Sequence, residues 1–290
     1  MAGRTVFVTG GDGFIGSAAV PLLAQQARVL APTRDELDLL DAAAVERYVR
    51  LHEPDVIVHL ANPNPAKDDR DQAVEMHKGS MDAFMACYRC RNLVERMVYM
   101  GSGAEYDKRF DICTITEEEF GRSYPADPYG AAKYVQNELA RAAGNVVNLR
   151  LFACFGPHDH WTKFITHCVR SVLAGLDITI RQDCYFDYLH VSDLARIICW
   201  AALGEPAHAD YNVASGRRVL LSQIAALVVG EMQAENPVIL LSDGLNREYT
   251  ASIGRLRVEY QEPFMSLEDG VRAQIAYEES VWPPEGYAQI

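Results

Sequence analysis

The sequence predicts an α/β fold, a doubly wound parallel sheet with a smaller α/β lobe interleaved toward its C-terminal end. Three observations carry that prediction. Thr5-Val6-Phe7-Val8 is a β-favouring apolar run that leads into a glycine-bearing loop, Thr9 to Gly16, and then into an apolar helical run. Val56 to Leu60 is a continuous apolar strand, the composition of a parallel strand covered on both faces. No Ser/Gly-rich linker, internal repeat or low-complexity stretch divides the 290 residues.

That length suits one large α/β domain or a large domain with a small lobe. A net charge of -13 argues against a nucleic-acid or anionic-membrane partner. No apolar run approaches the ~20 residues needed to span a bilayer. Met1 to Arg4 leads straight into the first strand with no signal peptide, so a cytoplasmic location is expected. The seven cysteines, an odd number scattered through apolar segments, read as reduced thiols.

Three glycines of the loop Thr9-Gly10-Gly11-Asp12-Gly13-Phe14-Ile15-Gly16 each have a task. Gly10 allows a sharp turn, Gly13 removes a side chain where a pyrophosphate would approach, and Gly16 lets the helix pack against the strand. Free N–H groups at the helix start, those of Phe14 and Ile15 among them, then hold the phosphates with the helix dipole. Pro21, about two turns into this helix, predicts a kink. The G-x-x-G-x-x-G spacing resembles that of the short-chain dehydrogenase/reductase superfamily.

Arg28 to Ala31 reads as the second strand, with a polar turn, Pro32 to Asp35, behind it. A carboxylate there would accept from a ribose 2′-hydroxyl, whereas an arginine would pair with a 2′-phosphate. Arg34 is nearest that role. The run Arg34 to Asp41 resembles the corresponding segment of GDP-fucose-synthase-like reductases in the extended branch of the superfamily. The resemblance implies that Arg34 touches the 2′-phosphate and that Asp38 and Leu39 frame the adenine. Asp12 replaces an arginine of those enzymes, so NADP is favoured over NAD only slightly.

Helix 42–51 and strand 56–60 follow. The strand ends in His59-Leu60-Ala61-Asn62, which resembles a turn that lines the cofactor in extended members. Leu60, Ala61 and Asn62 are then cofactor contacts, with His59 packed beneath. A long helix, 73–94, belongs by the resemblance to a homodimer interface. Cys87 and Cys90 inside it have C-x-x-C spacing but no second pair, and read as structural.

Strand 97–100 delivers Gly101-Ser102-Gly103-Ala104-Glu105-Tyr106, and residues 107–125 read as an irregular loop over the site. Tyr129 and Lys133, four apart on a helix of 128–143, face one side. An ammonium near a phenol brings its pKa from ~10 toward the working range. The offset from Ser102 to Tyr106 matches the family's S-x-x-x-Y segment, which selects Ser102 over Ser123. The resemblance thus implies that Ser102 holds the substrate oxygen, Tyr129 exchanges the proton and Lys133 tunes the phenol and bonds the nicotinamide ribose. It also places Phe152, after strand 146–151, beside the cofactor.

Dehydratases of the superfamily carry an acidic pair directly after the catalytic hydroxyl. Here Gly103 and Ala104 stand there as neutral substrate contacts, which argues against dehydration. Gly156-Pro157-His158-Asp159 resembles a segment of the GDP-fucose-synthase-like enzymes, and alignment from it makes His167 an acid–base partner or a substrate-hydroxyl ligand. Their epimerising cysteine is Ala104. His158 and His160 have H-x-H spacing without a third ligand, so no metal is expected. Relatives hold the substrate diphosphate with an arginine where this chain has Phe186, which leaves Arg181 and Arg247 as candidates.

Residues 1–156 are therefore expected to bind NADP or NAD, with 185–203 returning to that domain, and 157–290 to form mainly the substrate lobe. The expected function is NAD(P)-dependent oxidoreduction of a nucleotide-linked sugar, with 4-ketoreduction foremost. The alternatives are a 4-epimerase with tightly bound NAD and, from another class, a non-catalytic cofactor-sensing protein.

Overall fold

A computed structural model describes residues 3–62 and 73–283, with side chains in the second stretch from His77 onward. The first half contains β1 (Thr5–Thr9), α1 (Phe14–Ala24), β2 (Arg28–Leu30), α2 (Ala42–His52), β3 (Val56–His59), α3 (Ala73–Arg89), β4 (Arg96–Ser102), β5 (Ile112–Ile115), α4 (Pro128–Ala143) and β6 (Val146–Leu151). The second contains β7 (Ala153–Phe155), α5 (Phe164–Leu173), β8 (Ile178–Ile180), β9 (Tyr185–Phe186), β10 (Tyr188–His190), α6 (Val191–Leu203) and β11 (Asp210–Val213). It ends with β12 (Val219–Leu220), α7 (Leu221–Glu231), β13 (Val238–Leu240), β14 (Tyr249–Ala251), α8 (Gly254–Glu259) and α9 (Leu267–Ser280).

The six-stranded sheet runs β2-β1-β3-β4-β6-β11, parallel throughout, with Val6 opposite Val56 and Met100 opposite Leu149. This is the doubly wound, Rossmann-type sheet expected from the sequence. Every residue of β3 is buried, as its unbroken apolar run requires. One face packs Val6, Val8, Val58 and Val98 on Ala19 and Leu23 of α1 and Leu194 and Ile198 of α6. The other packs Phe7, Ile57, Met97 and Tyr99 on Val45 of α2, Phe84 of α3 and Ala140 of α4. Strand order reverses between β1 and β3, which opens a crevice at their C-terminal ends.

A second core gathers Phe155, Ile165, Val169, Ile224 and Val271 among α5, α7 and α9. The two halves interleave. β7 pairs with β10, β11 joins the main sheet, and β5 closes a four-stranded sheet ordered β12-β9-β14-β5.

Several expectations need correction. Residues 107–125 are not simply an irregular cover: β5 lies within them, and Ile112, Ile115 and Phe120 are buried with Tyr106 and Phe152. α3 ends at Arg89, with one turn of 3₁₀ helix over Arg91–Leu93 instead of continuing to 94. α5 starts at Phe164, not Trp161, because residues 160–163 form a turn closed by the Lys163 N–H on the His160 carbonyl. The strand expected over 185–190 splits at the buried Asp187, whose carboxylate accepts from the N–H groups of Ser215 and Gly216. Pro21 lies inside α1, which is continuous over Phe14–Ala24. Among the described residues no helix is long and apolar enough to cross a membrane.

Candidate active site

The glycine loop closes the C-terminal end of β1. Gly10 has φ +69°, and a Cβ on it would stand 2.8 Å from the Ala61 backbone. A Cβ at Gly16 would stand 2.1 Å from the Gly10 carbonyl oxygen, so helix and loop touch backbone to backbone. Gly13 differs: its φ is -77°, and a Cβ there would meet only the Gly10 carbonyl oxygen, at 3.4 Å. Protein packing leaves that volume open. α1 has neither a side-chain N-cap nor an acidic residue in its first turn, so its N-terminal donors, including those of Phe14 and Ile15, face no protein carboxylate of that turn. An anionic pyrophosphate fits this arrangement.

Around the loop, Leu60 and Ala61 are tied to Thr9 through their N–H groups, on its carbonyl and hydroxyl, and the Asn62 amide oxygen accepts from Ser80. His59 lies 2.8 Å from the Thr9 hydroxyl, and burial, reinforced by Lys133, pushes its pKa down to about 3. It is a neutral packing group. Arg34, Asp38 and Asp12 are exposed, while Leu39 is half-buried. The Cys87 thiol sits 3.6 Å from His59 with its pKa raised by burial, and all seven cysteines are free.

β4 delivers Ser102 to the crevice and α4 presents Tyr129 and Lys133 one turn apart. Asp127 caps α4 by accepting from the Gly130 N–H at 2.8 Å, and Pro128 opens the helix at a position that needs no donor. Ser102 acts on the Tyr129 phenol by side-chain hydrogen bonding, which lowers its pKa. Burial prevails, helped by the nearby carboxylates of Glu105 and Asp127, and the phenol is raised and stays protonated. Lys133 is buried, donates to the Met100 carbonyl at 2.9 Å and is pushed down to about 8 by burial, against the pull of Glu105. His77 of α3 packs on the Tyr129 ring at 5.6 Å.

Sequence reasoning missed the support under Ser102. Glu105, fully buried, accepts from the Ser102 N–H at 3.0 Å and from Arg150 Nε at 2.8 Å. Arg150, also fully buried, donates further to Asp210 at 2.8 Å, to the Tyr106 hydroxyl and to Asn212. The Ser-x-x-Glu pattern of a capping box was visible in the sequence; its ion pair with Arg150 depends on the β4–β6 register. Tyr249 of β14 was also missed. Its phenol, too, is acted on by the Ser102 hydroxyl. No motif announces it.

The remaining candidates are placed less centrally. His167 is half-buried on α5, its pKa lowered by burial, with no hydrogen bond to Ser102 or Tyr129. Arg181 and Arg247 are exposed on neighbouring segments joined by the Asp183–Leu245 bridge, and neither bonds to Ser102 or Tyr129. Phe152 is buried between Tyr106 and Tyr249, and Phe186 lies on Tyr188 and Tyr249. His158 meets the Tyr277 hydroxyl and His160 the Thr162 hydroxyl. Among the described residues no group of three or more His, Cys, Asp or Glu side chains could hold a metal ion. Asp159 is buried with one carboxylate oxygen unpartnered, and burial raises its pKa to about 7.

Known proteins share this architecture. The GDP-L-fucose synthase of Azorhizobium caulinodans is 24% identical over 95% of this chain and 96% of its own. The UDP-glucose 4-epimerase of Thermotoga maritima, solved with UDP-glucose, superposes with a TM-score of 0.83 at 22% identity, covering 96% of this chain and 99% of that one. A GDP-L-fucose synthetase from Naegleria fowleri, solved with NADP, also gives 0.83, at 16% identity over 97% and 94%. The model of one family matches residues 6–214, from β1 through β11. By that match the chain belongs to the NAD dependent epimerase/dehydratase family.

Proposed function

We propose that the chain reduces a 4-keto sugar carried on a nucleoside diphosphate. The observation that carries this reading is the convergence of the Ser102 hydroxyl and the Tyr129 phenol beside a glycine loop with open space at Gly13. Gly10, Gly13, Phe14, Ile15 and Gly16 would hold a nicotinamide dinucleotide, which when bound would supply the hydride. Tyr129, kept protonated by burial, gives its proton to the substrate oxygen as negative charge develops there. Ser102 donates a second hydrogen bond to that oxygen, its backbone fixed by Glu105. Lys133 provides positive charge that steadies the resulting phenolate.

Gly103 and Ala104 bring no carboxylate to the neighbouring carbons, which favours simple reduction over dehydration. The exposed Arg34 at the end of the β2 turn supports NADP over NAD. His167, Arg181 and Arg247 are assigned to the sugar nucleotide, and residues 157–290 to most of its lobe. The same reading has the enzyme working in the cytoplasm as a homodimer paired through α3.

The test is consumption of NADPH or NADH by purified protein offered uridine-, guanosine- and thymidine-diphosphate 4-keto sugars. Oxidation of the nicotinamide with one of them, abolished in Tyr129→Phe, supports the reading. Protein that retains NAD through dialysis and interconverts 4-epimers without added cofactor replaces it with 4-epimerisation. Turnover unaffected by Tyr129→Phe refutes both.

A further inference from the structure

Tyr249 stands in β14 and reaches the site from the far half of the chain. Its ring is wedged against Phe152 at 5.0 Å and Phe186 at 5.4 Å, so the direction of its hydroxyl is set by packing. That hydroxyl occupies a defined volume: a Cβ built on Gly103 would stand 2.5 Å from it, and 2.9 Å from Phe152. Position 103 is therefore glycine because the phenol of Tyr249 fills the place of its side chain. The Ser102 hydroxyl acts on both phenols, Tyr129 and Tyr249. The Lys108 ammonium lies 5.8 Å from each of the two ring centroids, so both tyrosines border one small space.

We propose that Tyr249 is a second active-site phenol, donating a hydrogen bond to the reacting substrate oxygen beside Ser102 and Tyr129. The inference rests on the ketone-reduction reading and deepens it. Three hydroxyl donors, Ser102, Tyr129 and Tyr249, then surround one oxygen. Tyr129 alone gives up its proton, because Lys133 one turn away on α4 steadies its phenolate, and Tyr249 retains its own. Such a set favours an oxygen that gains negative charge over a ground-state carbonyl.

The experiment is Tyr249→Phe, which deletes the hydroxyl and leaves the packed ring. With a 4-keto nucleotide sugar that the wild type reduces, kcat should fall about 100-fold, the size expected for one lost donor to a developing oxyanion. KM and the cofactor dissociation constant should stay within about 3-fold, and thermal unfolding should be unchanged. A kcat equal to wild type overturns the proposal, as does a loss confined to KM. If the wild type reduces none of the ketones, the parent reading fails on its own. Tyr249 is then judged by ¹³C-tyrosine NMR, in which its Cζ resonance, identified by its loss in Tyr249→Phe, should shift in Ser102→Ala and in Tyr129→Phe. A resonance that moves in neither variant overturns the shared site.

Discussion

Two glycines in one loop should respond oppositely to the same added methyl group. At Gly16 a Cβ would fall 2.1 Å from the Gly10 carbonyl oxygen and 2.7 Å from the Gly11 Cα, against an ordinary contact of 3.4 Å or more. Only backbone is there to yield. Overpacking of this kind costs about 1–3 kcal/mol or more, beyond the roughly 1 kcal/mol that alanine gains over glycine in a helix. At Gly13 the added Cβ meets protein at 3.4 Å and the backbone is already extended. Gly13→Ala should therefore lose at most about 1 kcal/mol, the N-cap preference for glycine. The methyl would instead occupy the approach of the pyrophosphate. Forfeiting one charge-assisted bond, about 1.5–3 kcal/mol, raises the dissociation constant of NADPH roughly 10- to 100-fold. Urea unfolding and a nicotinamide-fluorescence titration separate the two effects. A Gly13→Ala protein that binds NADPH as the wild type does would refute the placement of the phosphates.

Tyr129→Phe should lower turnover by about 10²- to 10⁴-fold while leaving NADPH affinity nearly unchanged, as steady-state kinetics and titration would show. Arg150→Met would leave the Glu105 carboxylate buried without a guanidinium, while Asp210 keeps that of Arg255, at a cost of about 3–5 kcal/mol read as a lower urea midpoint. Asp159 gives a pH dependence with a definite sign. Its folded pKa, about 7, lies above its unfolded value, so its contribution to stability is full below pH ~4 and is lost as pH rises through 7. Asp159→Asn should flatten that decline and gain up to about 4 kcal/mol at pH 8; a decline of unchanged steepness in the variant would count against the assignment.

The parts legible in the sequence are those whose signal is local. β1, the glycine loop and α1 are adjacent in the chain, and Tyr129 and Lys133 share a helix face by spacing alone. Asp127-Pro128 marks the start of α4 by ordinary capping chemistry. What escaped depends on distant pairing. β5 and β14 are four and three residues long, too short for an alternating pattern, and each acquires meaning only from the other. Arg150 reads as a lone charge in an apolar strand until the register of β4 and β6 sets it beside Glu105. Tyr249 is a tyrosine in an unremarkable segment until its sheet carries it to Gly103. The short strands on either side of Asp187 read as one because nothing nearby shows that its carboxylate binds residues 215 and 216.

The pairing of β5 with β14 also imposes an order on assembly during synthesis. The apolar cluster of Tyr106, Ile112, Ile115 and Phe120 leaves the ribosome before its cover, Ala251, and before the phenol that fills the space beside Gly103. A nascent chain thus carries its glycine loop and the Tyr129–Lys133 pair before β14 exists to set Tyr249 beside Gly103. Whatever depends on the phenol beside Gly103 therefore waits for β14 to be made.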